Sequence, residues 1–185
     1  ARFRITPVGR LYFTNSVRLP PFEMEGMGAP DGYPRVRESL MEPHRLKDDD
    51  EAVRAALSSL KTATGIPVTM YGTLLPDNRV QITQWVGLRT PALQNLVIDA
   101  NVGVGGRVVS TRRAVGVSDY TRATTISHEN DRHIQDEGLH SIVAVPVTVQ
   151  REIRGVLYVG VHSPVRLGDK VIEEVTMTAR CLEQD

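Results

Sequence analysis

Residues 141–162 read SIVAVPVTVQREIRGVLYVGVH and contain two runs rich in β-branched apolar residues. The runs cover residues 141–148 and 153–162, and the polar residues 149–152 separate them. Runs of this composition and length predict β-strands. Because four residues cannot form the helical crossover that parallel strands require, we expect the two strands to pair antiparallel as a hairpin.

The first strand of this hairpin carries apolar side chains on both of its faces. Successive side chains of a strand point to opposite faces of the sheet. Val143, Val145 and Val147 therefore share one face, whereas Ile142, Ala144 and Pro146 share the other. An antiparallel sheet with one wet face would alternate apolar and polar residues instead. We expect both faces to be covered, one by helices and the other by the roof of a cavity.

A glycine-rich run, Gly103-Val104-Gly105-Gly106, precedes the hairpin. It lacks the Gly-Lys-Ser/Thr ending of a Walker loop, and its context is not the strand and helix of a dinucleotide-binding fingerprint. We interpret it as a structural turn that leads into a short helix over residues 105–111. A short strand over residues 115–118 and a polar loop over residues 119–130 follow.

The order of these segments resembles a GAF domain. GVGGRVVSTRRAVGVSDY (103–120), a helix that ends in EGLHSIVAVPV (137–147), and RGVLYVGV (154–161) are similar to the GAF modules in front of LuxR-type DNA-binding domains in actinobacterial transcription regulators. The resemblance covers residues 48–185 and is strongest over residues 103–160. It implies an α+β fold with a central antiparallel sheet of about five or six strands, terminal helices on one face and a ligand pocket on the other. The family indicates the fold more than the ligand.

Two further segments complete this reading of the chain. A helix over residues 51–64 is predicted to start after the acidic residues 48–50 and to end at Gly65. Strands over residues 66–75 and 79–88 follow it, which is how a GAF domain opens.

The N-terminal residues 1–45 are dense in proline, glycine and arginine. Such proline density excludes a long helix and interrupts any central strand. We interpret this segment as an extended arm over the domain or over a partner subunit; the alternative is a lid on the pocket. Residues 46–185 are then the GAF-like sensory domain. Because the chain starts at Ala1 and stops within a predicted helix, we expect a fragment of a longer protein.

The resemblance implies that the early strands and the loop over residues 119–140 line the pocket. Six aromatic and histidine side chains are the candidates: Tyr71, Trp85, Tyr120, His128, His133 and His140. Core aromatics are the alternative interpretation of Tyr71 and Trp85. His128 and His133 lie about 140° apart around a helix, whereas paired metal ligands prefer a spacing of four residues. We expect surface or hydrogen-bonded histidines, with no bound cofactor.

The sequence contains no recognisable catalytic constellation. Ser127, His128 and Glu129 are adjacent, but sequence neighbours do not face each other on a helix, and a nucleophile elbow is absent. The single thiol, Cys181, excludes an internal disulfide and fits a reducing cytoplasm. It lies in the last helix, so the resemblance implies neither bilin attachment nor the sulfoxide-reductase chemistry that works through pocket cysteines. We predict that the chain is not an enzyme.

Gly168 and Asp169 mark the start of that last helix, which carries a heptad-like apolar stripe. The stripe consists of Ile172, Val175, Ala179 and Leu182. It either packs on the sheet or meets a second copy of the chain in a homodimer. Continued past Asp185, this helix would link the sensor to an output domain.

The charge balance fits this reading, since 22 basic residues equal 22 acidic ones. A nucleic-acid-binding domain would show a basic excess, and the chain has no apolar run of the ~18 residues that a membrane helix needs. We therefore predict a cytoplasmic regulatory domain that senses an unknown small molecule and reaches DNA only through a missing C-terminal domain. The alternatives are a ligand-free dimerisation scaffold and a haem- or other cofactor-binding sensor.

Overall fold

The computed structural model describes residues 42–183. The predicted arm over residues 1–45 lies outside the described residues, except for the start of the first helix at Glu42. Its interpretation as an arm or a lid stays a prediction.

One antiparallel sheet of six strands forms the centre of the described part of the chain. The strands are β1 (Val68–Leu74), β2 (Val80–Val86), β3 (Val97–Ile98), β4 (Val115–Val117), β5 (Ser141–Val149) and β6 (Glu152–Val161). Their order across the sheet is β3-β2-β1-β6-β5-β4. The predicted hairpin is confirmed, with Val145 opposite Leu157. Each strand reaches one residue further into the turn than predicted, because Gln150 and Arg151 adopt positive φ angles of 51° and 69° and form a two-residue turn; β6 ends one residue earlier than predicted, at Val161.

Four α-helices flank this sheet within residues 42–183, and a short 3-10 helix covers Tyr120–Arg122. They are α1 (Glu42–Thr64), α2 (Gly103–Thr111), α3 (Asp131–Glu137) and α4 (Asp169–Leu182). As predicted, α1 ends at Gly65, which has a φ of 69° and donates its N–H to the carbonyl of Lys61 at 2.9 Å. The predicted start of α1 after residues 48–50 is wrong. Pro43 lies in the first turn of the helix, where no backbone N–H is needed, so the helix begins earlier.

The two faces of the sheet carry two separate cores. Val143, Val145 and Val147 pack with α1 and α4 residues such as Leu57 and Val175. Side chains of the opposite set, including Ile142 and Ala144, pack with α2 and α3. The expectation that both faces are covered is therefore confirmed, and the terminal helices share one face.

The apolar stripe of α4 packs within the chain. Val175 is 0% exposed and Ala179 is 2% exposed, whereas Ile172 and Leu182 lie half-buried at the edge of the same core. Of the two interpretations, the structure shows the packing on the sheet. Val175 and Ala179 cannot serve as a dimer surface unless this core unpacks.

The connector between β2 and α2 contains a strand that the sequence did not predict. β3 has only two residues, too few for a periodic signal, and pairs with Val80 and Gln81 of β2. Leu93 in the preceding turn is buried under it at 2% exposure. The connector therefore forms part of the wall opposite α1 and α4. In residues 42–183 we find no helix of the length and apolar character that a membrane crossing requires.

Candidate functional site

A cavity of about 30 Å³ lies between the sheet and the elements that cover its second face. One water molecule needs about 10–15 Å³, and pockets for drug-sized ligands measure roughly 300–1,000 Å³. In this conformation the cavity has room for about two waters or for a ligand of a few heavy atoms. Most of its lining is aliphatic, from Met70, Ile82, Leu93, Ile98, Ile134 and Ile142.

Two buried tyrosines and Asn130 are the polar residues of an otherwise apolar lining, and we call them the polar end of the cavity. Tyr158 is 3% exposed, and its hydroxyl has no hydrogen-bond partner among the residues that the structure describes. Burial raises the pKa of Tyr158 well above its usual value. Burial, with smaller contributions from the charges of Asp131 and Glu129, raises the pKa of Tyr120 to about 12. Both hydroxyls are therefore protonated at neutral pH and can donate hydrogen bonds.

The glycine-rich run at the start of α2 makes room for these hydroxyls. A Cβ on Gly105 would overlap the Tyr158 hydroxyl, and one on Gly103 would lie 3.0 Å from the Tyr120 hydroxyl. Gly103 also has a φ of 58°, a left-handed conformation that favours glycine. The predicted turn and short helix are confirmed, although the helix begins at Gly103 and includes the glycines. Close packing against tyrosine accounts for Gly103 and Gly105, whereas a Cβ on Gly106 would overlap the backbone of Asn101.

The six predicted pocket residues occupy different positions relative to the cavity. Tyr120 lines the cavity, whereas Trp85 packs against the surrounding core without lining it. Tyr71 does not line this cavity, because its side chain points to the opposite face and packs with the core under α1 and α4. Alternation along β1 explains the difference, since the neighbouring Met70 lines the cavity instead.

The three predicted histidines do not line the cavity either. His128 has both ring nitrogens occupied: Nδ1 lies 2.8 Å from Asp131 Oδ1, and Nε2 lies 2.8 Å from the carbonyl of Ala123. Because both partners are acceptors, the imidazolium form is favoured, and the hydrogen bond to Asp131 is the main reason why the pKa of His128 is raised. The backbone carbonyl of His140 accepts a hydrogen bond from the N–H of Tyr120 at 2.7 Å. His133 is half-buried on α3.

Among the side chains that the structure describes, at residues 49–183, no three His, Cys, Asp or Glu residues come together in a way that could hold a metal ion. Cys181, the single thiol, is exposed on α4, which packs on the face of the sheet opposite the cavity.

Sequence reasoning missed Glu137, the last residue of α3. Its carboxylate is 2% exposed and accepts hydrogen bonds from the N–H of Arg89 at 2.7 Å, the N–H of Thr90 at 2.9 Å and the hydroxyl of Thr90 at 2.7 Å. Burial would raise the pKa of Glu137, but these hydrogen bonds lower it below its usual value. The contact fixes the end of α3 to the connector that follows β2. A carboxylate at a helix C-terminus opposes the helix dipole, and this was the available signal.

A second and wider groove of about 220 Å³ opens on the surface between β5, α4 and the end of α2. Arg112, Arg113 and Arg180 line it together with Glu183. Glu183 accepts a hydrogen bond from the N–H of Thr148 at 3.0 Å, which ties the end of α4 to the sheet. Most residues that line the groove are exposed or half-buried, whereas most residues that line the cavity are buried.

Comparison with known proteins identifies relatives of the chain. It is 79% identical over 145 residues to the HTH-type transcriptional activator RamA of Corynebacterium glutamicum; the match covers 78% of this chain and 52% of that protein. The chain thus spans about half the length of this curated relative.

Solved structures with the same fold have much lower identity. The Thermosynechococcus elongatus PixJ GAF domain superposes with a TM-score of 0.63 at 12% identity, covering 75% of this chain and 87% of the other. The GAF domain of an Acinetobacter phosphoenolpyruvate-protein phosphotransferase has a TM-score of 0.58 at 18% identity and coverages of 76% and 91%. A free methionine-R-sulfoxide reductase of Thermoplasma acidophilum has a TM-score of 0.59 at 15% identity and coverages of 74% and 92%. These likenesses concern the fold alone.

The family model of the GAF domain matches residues 48–184, which is most of the chain. The fold inferred from residues 103–162 agrees with this match and with the six-stranded sheet. The chain belongs to the GAF domain family.

Proposed function

We propose that the chain is the sensory part of a transcription regulator, in which a small effector binds the buried cavity and alters a LuxR-type DNA-binding region C-terminal to α4. The 79% identity to a protein named as an HTH-type transcriptional activator carries the regulatory part of this proposal. That relative is about twice as long as the matched region, which leaves room for an output domain outside it.

The geometry supports the cavity as the effector site. It is enclosed by α2, α3 and the loop between them, and it combines an apolar lining with a few polar groups. Ligand sites in proteins commonly have this composition. The Tyr158 hydroxyl is a donor that no described residue satisfies, as expected of a group that meets a ligand.

The sheet provides a short route from the cavity to α4. Ile142 in β5 lines the cavity, and the next residue, Val143, packs in the core that contains Val175 of α4. An effector that favours one arrangement of the cavity wall would therefore shift the packing of α4.

A ligand-free dimerisation scaffold is the second candidate function. The small cavity volume of about 30 Å³ favours this second candidate, because side chains of the protein itself already fill most of the space where a ligand would bind. A homodimer would have to use surfaces of α1 and α4 that the core leaves exposed, such as the side of α4 that carries Met177.

Native mass spectrometry of the full chain distinguishes the two functions. The sensor predicts extra mass, beyond the chain itself, that is lost on denaturation when the protein is purified from cells that contain the effector. A chain that carries no extra mass from any growth condition, and that forms a dimer in the same spectra, would support the scaffold. The same measurement tests the predicted homodimer directly.

A further inference from the structure

The first turn of α2 lines the cavity with Gly103, Val104 and Gly105. α2 has nine residues, and its N-cap residue provides no side-chain cap. The N–H of Gly103 donates to Ser127 Oγ at 3.0 Å. Within the described residues, the N–H groups of Val104 and Gly105 have no acceptor. These N–H groups and the positive end of the helix dipole favour an anion or a strong acceptor beside the first turn.

The Tyr158 hydroxyl is an independent sign of a missing acceptor. Its side chain belongs to β6 and not to α2, and Tyr158 is only 3% exposed. The hydroxyl reaches the first turn of α2, since a Cβ on Gly105 would overlap it. No described residue accepts its proton. Native proteins seldom leave a buried hydroxyl without a partner, so an acceptor absent from the chain itself is expected there.

The cavity lining contains hydrogen-bond donors but no charged side chain. Besides the two tyrosines, its polar side chain is Asn130, and no carboxylate lines it. Burial is the main reason why the pKa of the Tyr120 hydroxyl is raised, and the charges of Asp131 and Glu129, which do not line the cavity, add to it. The carboxylate of Asp131 faces His128, with its Oδ1 atom 2.8 Å from Nδ1 of the imidazole ring. The polar end of the cavity is therefore suited to an acceptor and unsuited to a cation.

From these contacts we infer that the cavity binds the carboxylate of a short monocarboxylic acid, with its oxygens on the Tyr158 hydroxyl and the N–H groups of Val104 and Gly105. The inference rests on the proposed function, since it names the chemical class of the effector at the same site. The aliphatic tail faces the side chains that line the rest of the cavity, such as Met70 and Ile82. A tail of more than a few carbons does not fit the volume of about 30 Å³.

Isothermal titration calorimetry of the full chain with a series of sodium carboxylates, from formate to hexanoate, tests this inference. Propionamide serves as the neutral counterpart of propionate. Sodium chloride holds the ionic strength constant across the series. We expect the short carboxylates to bind and both hexanoate and propionamide to fail. The amide fails because its NH₂ group would face the N–H and O–H donors of the site.

Two matched variants separate the site from general effects on the fold. Tyr158→Phe keeps the ring and removes the donor, so the dissociation constant for propionate should rise roughly 10- to 100-fold, the factor for one hydrogen bond to a charged acceptor. Without ligand, this variant should be at least as stable as the parent, because the hydroxyl has no partner to lose. Tyr71→Phe removes a hydroxyl on the opposite face of the sheet and should leave binding unchanged.

The outcomes distinguish this inference from the proposed function. Equal binding of propionate and propionamide, or unchanged binding in Tyr158→Phe, overturns the carboxylate assignment. Absence of binding across the whole series also overturns it. In each of these cases the sensory function still stands if native mass spectrometry finds a ligand of another class, and it fails with the inference if that experiment finds none.

Discussion

Replacing Glu137 with glutamine perturbs the contact that fixes the end of α3 to the loop after β2. The carboxylate accepts three hydrogen bonds, two from Thr90 and one from the N–H of Arg89. A glutamine amide keeps one acceptor oxygen and turns its NH₂ group toward a donor. A buried hydrogen bond to a charged group contributes about 1.5–3 kcal/mol, and an unpaired donor costs a similar amount. We therefore expect Glu137→Gln to lower the free energy of unfolding by about 2–4 kcal/mol.

Urea unfolding at neutral pH, followed by circular dichroism, measures this loss. The matched control is Asp136→Asn, which changes the neighbouring carboxylate on the same helix. Asp136 is 58% exposed and lies 4.0 Å from Arg132 Nε, so its ion pair should contribute less than about 0.5 kcal/mol. Unfolding midpoints that are equal in the two variants would refute the role assigned to the Glu137 carboxylate.

The lowered pKa of the same residue predicts how the stability of the fold changes with pH. The folded-state pKa of Glu137 is lowered relative to its usual value. A group of this kind stabilises the fold above the unfolded-state pKa of about 4.3, and its contribution is lost as the pH falls through the folded-state pKa. The stability difference between the parent and Glu137→Gln should therefore shrink below about pH 4. A difference that grows on acidification would contradict this linkage.

Three more predictions follow from the described contacts. Gly105→Ala should destabilise the chain by about 1–3 kcal/mol in thermal unfolding, because the added Cβ overlaps the buried Tyr158 hydroxyl. Val175→Ala should cost about 1–3 kcal/mol in urea unfolding, independently of protein concentration, because Val175 packs within its own chain; a concentration-dependent loss would favour a dimer core instead. NMR titration should place the pKa of His128 above its usual range, and Asp131→Asn should lower it. Any stabilisation from this pair is present at low pH and disappears as the pH rises through the folded-state pKa.

The sequence predicts the sheet and its covered faces because these depend on local alternation. Val143 and its same-face neighbours could be assigned to one face from period-two spacing alone. The start of α1 was missed because Pro43 was treated as a helix breaker, although proline fits the first turn of a helix. β3 was missed because a two-residue strand leaves no periodic pattern.

The polar end of the cavity depends on pairings that a single segment does not reveal. Tyr158 reads as one aromatic residue in an apolar strand until the register places it opposite Ala144, on the face covered by α2. The histidines were candidates because of their residue type. Both ring nitrogens of His128, however, already contact acceptors in its own loop and in the first turn of α3. Type and spacing therefore identified candidate groups, whereas long-range packing decided which of them meet at the cavity.

The position of Tyr158 also shows how a few ligand atoms could affect a terminal helix. Its two neighbours in β6, Leu157 and Val159, are fully buried in the opposite core, the one that contains Val175 of α4. Close-packed interiors have little free volume, so a small shift of the strand cannot be absorbed on one face alone. A ligand changes the balance between two arrangements only by its difference in affinity for them, and a tenfold difference corresponds to about 1.4 kcal/mol. One hydrogen bond between a charged ligand and the Tyr158 hydroxyl, made in one arrangement and lost in the other, is of that size. Under the proposed function, one buried donor therefore supplies enough free energy to couple the cavity to α4.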